Sequence, residues 1–111
     1  MTTDTHKTAM NEKIKVYRRF DSDKHFFAGR WDVASRVVFS ASANAENADK
    51  AEEECLKRAM RFHKRHADTH VVLYRLENAF GGSYTHIHIH VRKNNCERPL
   101  GKSARIIVPS N

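Results

Sequence analysis

The sequence predicts an α+β domain in which one long helix packs on a mostly antiparallel sheet of four or five strands. Three observations predict it. Apolar and polar residues alternate in short runs at residues 13–20 and 83–93, and residues 70–77 make a further strand-like run. Between residues 44 and 67 the apolar spacing changes to three and four, the period of a helix. The segment order, strand, strand, helix, strand, strand, strand, suits a sheet covered on one face, and a β-grasp-like arrangement has this order. With 111 residues, 40% hydrophobic and 30% charged, the chain can bury one core, so residues 12–111 are expected to form a single domain. Folds built from a long βαβ series do not fit that length.

Residues 1–11 carry no apolar periodicity and are expected to be a flexible tail. In residues 13–20, Ile14, Val16 and Phe20 fall on one side of a strand, with Arg18 as an exception, and Lys13, Lys15, Tyr17 and Arg19 fall on the other. Residues 21–24 have turn chemistry. Strand-like, aromatic and β-branched residues follow at 25–33 and 36–41, as one bent strand or two. In the helix Ala48, Ala51, Cys55, Ala59, Phe62 and His66 form the apolar stripe, and Asn44 or Asn47 can cap its start. Gly81 and Gly82 permit the positive φ of a hairpin return, and residues 103–108 supply a last strand before Pro109.

Charge is unevenly placed. Lys and Arg number 20 against 13 Asp and Glu, a formal charge of +7. Glu46, Asp49, Glu52, Glu53 and Glu54 crowd the start of the helix, so the remaining surface is more basic than the total suggests. The cations gather in three clusters: Lys13, Lys15, Arg18 and Arg19; then Lys57, Arg58, Arg61, Lys64 and Arg65; then Arg92, Lys93, Arg98, Lys102 and Arg105. Such density suits a polyanion partner, although acids at a helix start and bases at its end also match the helix dipole. The sequence holds no long apolar run, so no membrane partner is expected, and Cys55 and Cys96 do not make a disulfide framework. A cytoplasmic protein is the expectation.

The most informative segment is residues 84–92. Alternation places Ile87, Ile89 and Val91 on one face and Tyr84, His86, His88, His90 and Arg92 on the other. Pairing Ile87 with Leu73 and Ile89 with Val71 sets Tyr74 opposite His86, Val72 opposite His88 and His70 opposite His90. If the first strand joins the same sheet, its Lys13, Lys15, Tyr17 and Arg19 extend this surface. The expected result is an open face of rings interleaved with cations.

That face predicts nucleic-acid binding, RNA or DNA and preferably single-stranded, with rings stacking on bases and Lys and Arg contacting phosphates. The predicted interface comprises Lys13, Lys15, Tyr17, Arg19, Tyr74, Tyr84, His86, His88, His90 and Arg92. The four histidines, including His70, predict binding that tightens as pH falls from about 8 to 5, given an ordinary histidine pKa of ~6.5. The alternative is a protein-binding inhibitor or adaptor that uses the basic surface or the last strand as an edge, with homodimerisation through that edge as a variant. A His-dependent ribonuclease has its ingredients here but no spacing that makes a cleft, so no catalytic residue is assigned.

A metal-binding protein is a lesser alternative: two of His86, His88 and His90 with His70 could converge on one ion, but His86 and His90 lie ~13 Å apart along a strand and no paired cysteine spacing occurs, so no metal ligand is assigned. No cofactor is expected. Gly101-Lys102-Ser103 resembles the end of a P-loop, but Cys96 stands where the leading glycine belongs. His63, His66, Trp31, Phe26 and Phe27 read as core or core-margin residues.

Overall fold

The computed structural model describes residues 13–22, 31 and 34–111. Its elements in chain order are β1 (Tyr17–Asp21), β2 (Arg36–Asn44), α1 (Ala48–Lys64), β3 (Thr69–Leu76), β4 (Tyr84–Lys93) and β5 (Arg105–Val108). The expected tail at 1–11 lies outside the described residues, as does the strand run at 25–33 except for Trp31.

Among the described residues the five strands form one sheet in the order β1-β2-β4-β3-β5. Every pairing is antiparallel, which sets the sheet apart from the β-grasp arrangement, whose central strands run parallel. Alternation along each strand decides which side chains meet the helix. Val37, Phe39, Ala41 and Ala43 of β2, Val71 and Leu73 of β3, and Ile87, Ile89 and Val91 of β4 are buried against Ala51, Cys55, Ala59 and Phe62 of α1. Small residues on the helix stripe let its backbone settle close to β2 and β4. Each fully buried Ile or Val contributes about 1.5–3 kcal/mol relative to an exposed one. Ile14, Val16 and Phe20 pack at the margin of this core, on the side the alternation assigns to them.

Local signals set the connections. Asn44 Oδ1 accepts the amide of Asn47 at 3.1 Å and caps a short 3-10 turn, residues 45–47, that leads into α1. Past the helix, His63 Nδ1 bonds Thr69 Oγ1 at 2.6 Å, and the rings of Trp31 and Phe62 flank His66, so both histidines are core-margin residues as read. The β3–β4 return uses positive φ at Asn78 (54°) and Gly81 (73°), while Gly82 is extended.

The hairpin register differs from the expected one by two residues. Leu73 pairs with Ile89 and Val71 with Val91, which puts Tyr74 opposite His88, Val72 opposite His90 and His70 opposite Arg92. A two-residue slip keeps every side chain on its face, so hydrophobic patterning alone does not distinguish the registers. The seven-residue return from 77 to 83 fixes the longer separation.

One feature of the topology has no counterpart in the alternation pattern. β5 pairs with β3 and therefore runs in the same direction as β4, with β3 between them. Parallel neighbours of this kind need a crossover, which must traverse one face of the sheet. The helix occupies one face, so residues 94–104 cross the other. Arg92 anchors them by donating to the carbonyls of Cys96 and Arg98, and His70 Nδ1 bonds Asn94 Oδ1 at 3.1 Å. Gly101 closes on Tyr74, where a Cβ would stand 3.8 Å from the ring.

Candidate functional site

The sheet face opposite the helix is built in cross-strand rows. One row runs Tyr17, Ser40, His88, Tyr74 across β1, β2, β4 and β3. The next, toward the hairpin end, runs Ser42, His86, Leu76, and beyond it Asn44 pairs with Tyr84. In the other direction the rows are Arg19, Val38, His90, Val72 and then Asp21, Arg36, Arg92, His70. Neighbouring strands lie ~4.8 Å apart, so side chains sharing a row are in reach of one another or of a common ligand.

The crossover divides this face in two. Beneath it the residues are buried or half-buried. Arg92 is 3% exposed and His70 7%, so neither belongs to an open surface, contrary to the expectation from alternation for Arg92. His90 is part-buried, with Arg36 at 3.2 Å from its Nδ1 and the Tyr74 ring at 4.6 Å. Arg36 also bridges to Asp21 at 3.1 Å, and Arg98 reaches the carbonyl of Ser22. This half is a packed polar layer.

The other half stays accessible. Tyr17 is 63% exposed and Tyr84 57%. The rings of His86 and His88 stack nearly parallel, 6.4 Å between centroids and 12° between planes, and His86 Nδ1 is held 2.8 Å from Ser42 Oγ. Lys13 and Lys15, in the segment leading into β1, are exposed, as is Arg19, which bridges to Asp21 at 3.2 Å. Tyr74 lies between the two halves. Of the ten predicted residues, the structure groups Lys13, Lys15, Tyr17, Arg19, Tyr84, His86 and His88 on accessible surface, places Tyr74 and His90 at the crossover margin, and buries Arg92.

Electrostatics follow the same division. Burial first, then Arg36, His88, Arg92 and Arg19, push the His90 pKa down to about 3. Burial also lowers His70, with Arg92 and His63 adding to the effect against the Asn94 hydrogen bond, and it lowers His88, helped by His86 and Arg19. In the unliganded protein His70, His88 and His90 are therefore held neutral into more acidic solution. Cys55 is fully buried and its thiol is pushed up to about 12, an unreactive core group. Among the described residues no three His, Cys, Asp or Glu side chains are placed to share a metal ion, and no helix is long and apolar enough to cross a membrane.

Sequence reasoning missed Arg36 and Ser42, which orient two of the histidines. Their signal was present: alternation through residues 36–44 puts both on the histidine face once β2 is set beside β4. The fold and site together define an α+β domain with one helix on a five-stranded antiparallel sheet and a ring-bearing, cation-edged patch on the far side. No protein-family model, curated protein or solved structure matches the chain.

Proposed function

We propose that this protein binds single-stranded nucleic acid on the uncovered half of the sheet face, in the cytoplasmic setting expected from its unpaired cysteines. The observation that carries the reading is the row of Tyr17, Ser40 and His88, with His86 stacked beside His88 and Tyr74 closing the row at the crossover margin, on the sheet face opposite the helix. Flat rings on an open sheet offer stacking platforms that any base can use, and the exposed Lys13, Lys15 and Arg19 supply cations for the backbone phosphates. Duplex ends and grooves fit a flat ring patch less well than unstacked bases do.

A salt titration against single- and double-stranded oligonucleotides tests this. Single strands should bind more tightly, and log affinity should fall linearly with log salt as counterions are released. Tyr17→Ala or Tyr84→Ala should weaken binding by ~1–3 kcal/mol per lost stack and leave the slope intact. Lys13→Ala with Lys15→Ala should flatten the slope by ~0.7 per lost phosphate contact. No binding at low salt rejects the reading.

One observation favours the protein-binding alternative. Among the described residues β5 is a four-residue edge strand with Ile106 53% exposed, features that suit strand addition by a partner. An inhibitor or adaptor of this kind would select one protein and ignore polyanions in general.

A further inference from the structure

A second cationic surface lies on the helix side of the sheet. Where α1 passes beside β1, the two elements leave a groove of about 560 Å³. Arg18, Lys57, Arg58, Arg61 and Arg65 line it, and Glu54 is its one acidic lining residue among the described residues, already bridged to Lys57 at 3.5 Å. The floor is apolar, formed by Val16, Phe39 and Phe62. Cations gathered over a low-dielectric floor concentrate the field of the groove and favour an anion with several charges. Arg18 is the residue that breaks the inward alternation of β1, and its place opposite Phe39 on the helix side gives that exception a purpose.

We propose that this groove holds the phosphate backbone of a single strand that folds over the β1 edge from the ring-bearing face. The inference rests on the single-strand reading above and extends its path. Two features select a nucleic-acid backbone over a compact anion. Lys57, Arg61 and Arg65 recur at every fourth residue of the helical region, so they step about 6 Å along the axis, close to the spacing of successive phosphates on an extended strand. Among the described residues β1 is an edge of the sheet, with Tyr17 and Arg19 on the ring face and Arg18 on the groove side, so a strand crossing it meets aromatic rings first and cations next. Arginine suits the second role, since its planar fork pairs phosphate oxygens two at a time.

The test uses the full chain and two probes: oligothymidylates of ~5 and ~15 nucleotides, spanning the site sizes of comparable single-strand folds, and long-chain inorganic polyphosphate, which has charge without bases. Arg58→Gln with Arg61→Gln removes two groove charges at exposed helical positions, and Lys57→Gln with Arg65→Gln repeats the experiment from both ends of the row. Either variant should bind the longer oligothymidylate at least ~10-fold more weakly at low salt, with a salt slope reduced by about 1.4, corresponding to two phosphates on a single strand. The short oligothymidylate should be little affected, and polyphosphate binding should be largely lost. Tyr17→Ala should do the reverse, weakening both oligothymidylates and sparing polyphosphate. Unchanged slope and affinity for the long probes in both groove variants overturn the proposal while leaving the ring face intact. Wild-type binding to polyphosphate but to neither oligothymidylate overturns the single-strand reading and, with it, the path over β1.

Discussion

His90 sits between the Arg36 guanidinium, 3.2 Å from its Nδ1, and the Tyr74 ring, 4.6 Å away. A guanidinium only donates, so Nδ1 accepts and the imidazole is neutral. Its folded pKa of about 3 lies below the ~6.5 of an unfolded histidine, so between those values the unfolded chain binds more protons. Stability from this residue is therefore fully present above about pH 6.5 and is lost as pH falls toward the folded value, with a slope of at most ~1.4 kcal/mol per pH unit. Urea unfolding across this range should show stability falling with acid, and His90→Gln should remove up to one proton's share of the slope. Parallel curves for the two proteins would contradict the assignment. Alternation was enough to place His90 on the correct face, but its burial depends on Arg36, Tyr74 and the crossover, partners distant in sequence.

The crossover is the element that most changes the site. Residues 94–104 carry no periodicity, and the sequence ends β4 at Asn94 and Asn95 and makes residues 103–108 an edge strand without fixing the neighbour it pairs with. Once β5 is set beside β3, a traverse of the histidine face is required, and Arg92 becomes a buried anchor bonded to two carbonyls of that traverse. Hydrogen bonds from a charged group contribute about 1.5–3 kcal/mol, so Arg92→Ala should destabilise the domain by about 2 kcal/mol or more. Amide exchange should rise in residues 95–104 before it rises in α1. Uniform loss of protection would show that Arg92 does not hold this segment. In contrast, the helix was legible almost to its ends, because its five buried residues, Ala48, Ala51, Cys55, Ala59 and Phe62, follow the 3.6 period that its sequence displays. The same core makes Ile89→Ala, at a site with no exposure, a loss of about 2–5 kcal/mol by thermal or urea unfolding.

Across the whole molecule the formal charge of +7 is sorted by the fold. Arg75 gathers Asp49, Glu52 and Glu77 at 2.8, 3.0 and 3.2 Å, tying the acidic start of α1 to the end of β3. The basic half of the helix faces β1 instead, so β1 becomes a ridge with cations on both sides and tyrosine on one. Sequence clustering identified these cations and alternation put Arg18 and Arg19 on opposite sides of their strand, but the groove that Arg18 shares with the helix cations follows only from the β1–β2 pairing and the position of the helix.

The most direct measurement is a titration of isotope-labelled protein with a short single-stranded oligonucleotide at low salt, followed through backbone amide and histidine ring resonances. Binding on the sheet face should concentrate the shifts at Tyr17, Arg19, Ser40, Tyr84, His86 and His88, with β5 and its exposed Ile106 silent. Shifts confined to β5, or none on the sheet face while the protein stays folded, would contradict it.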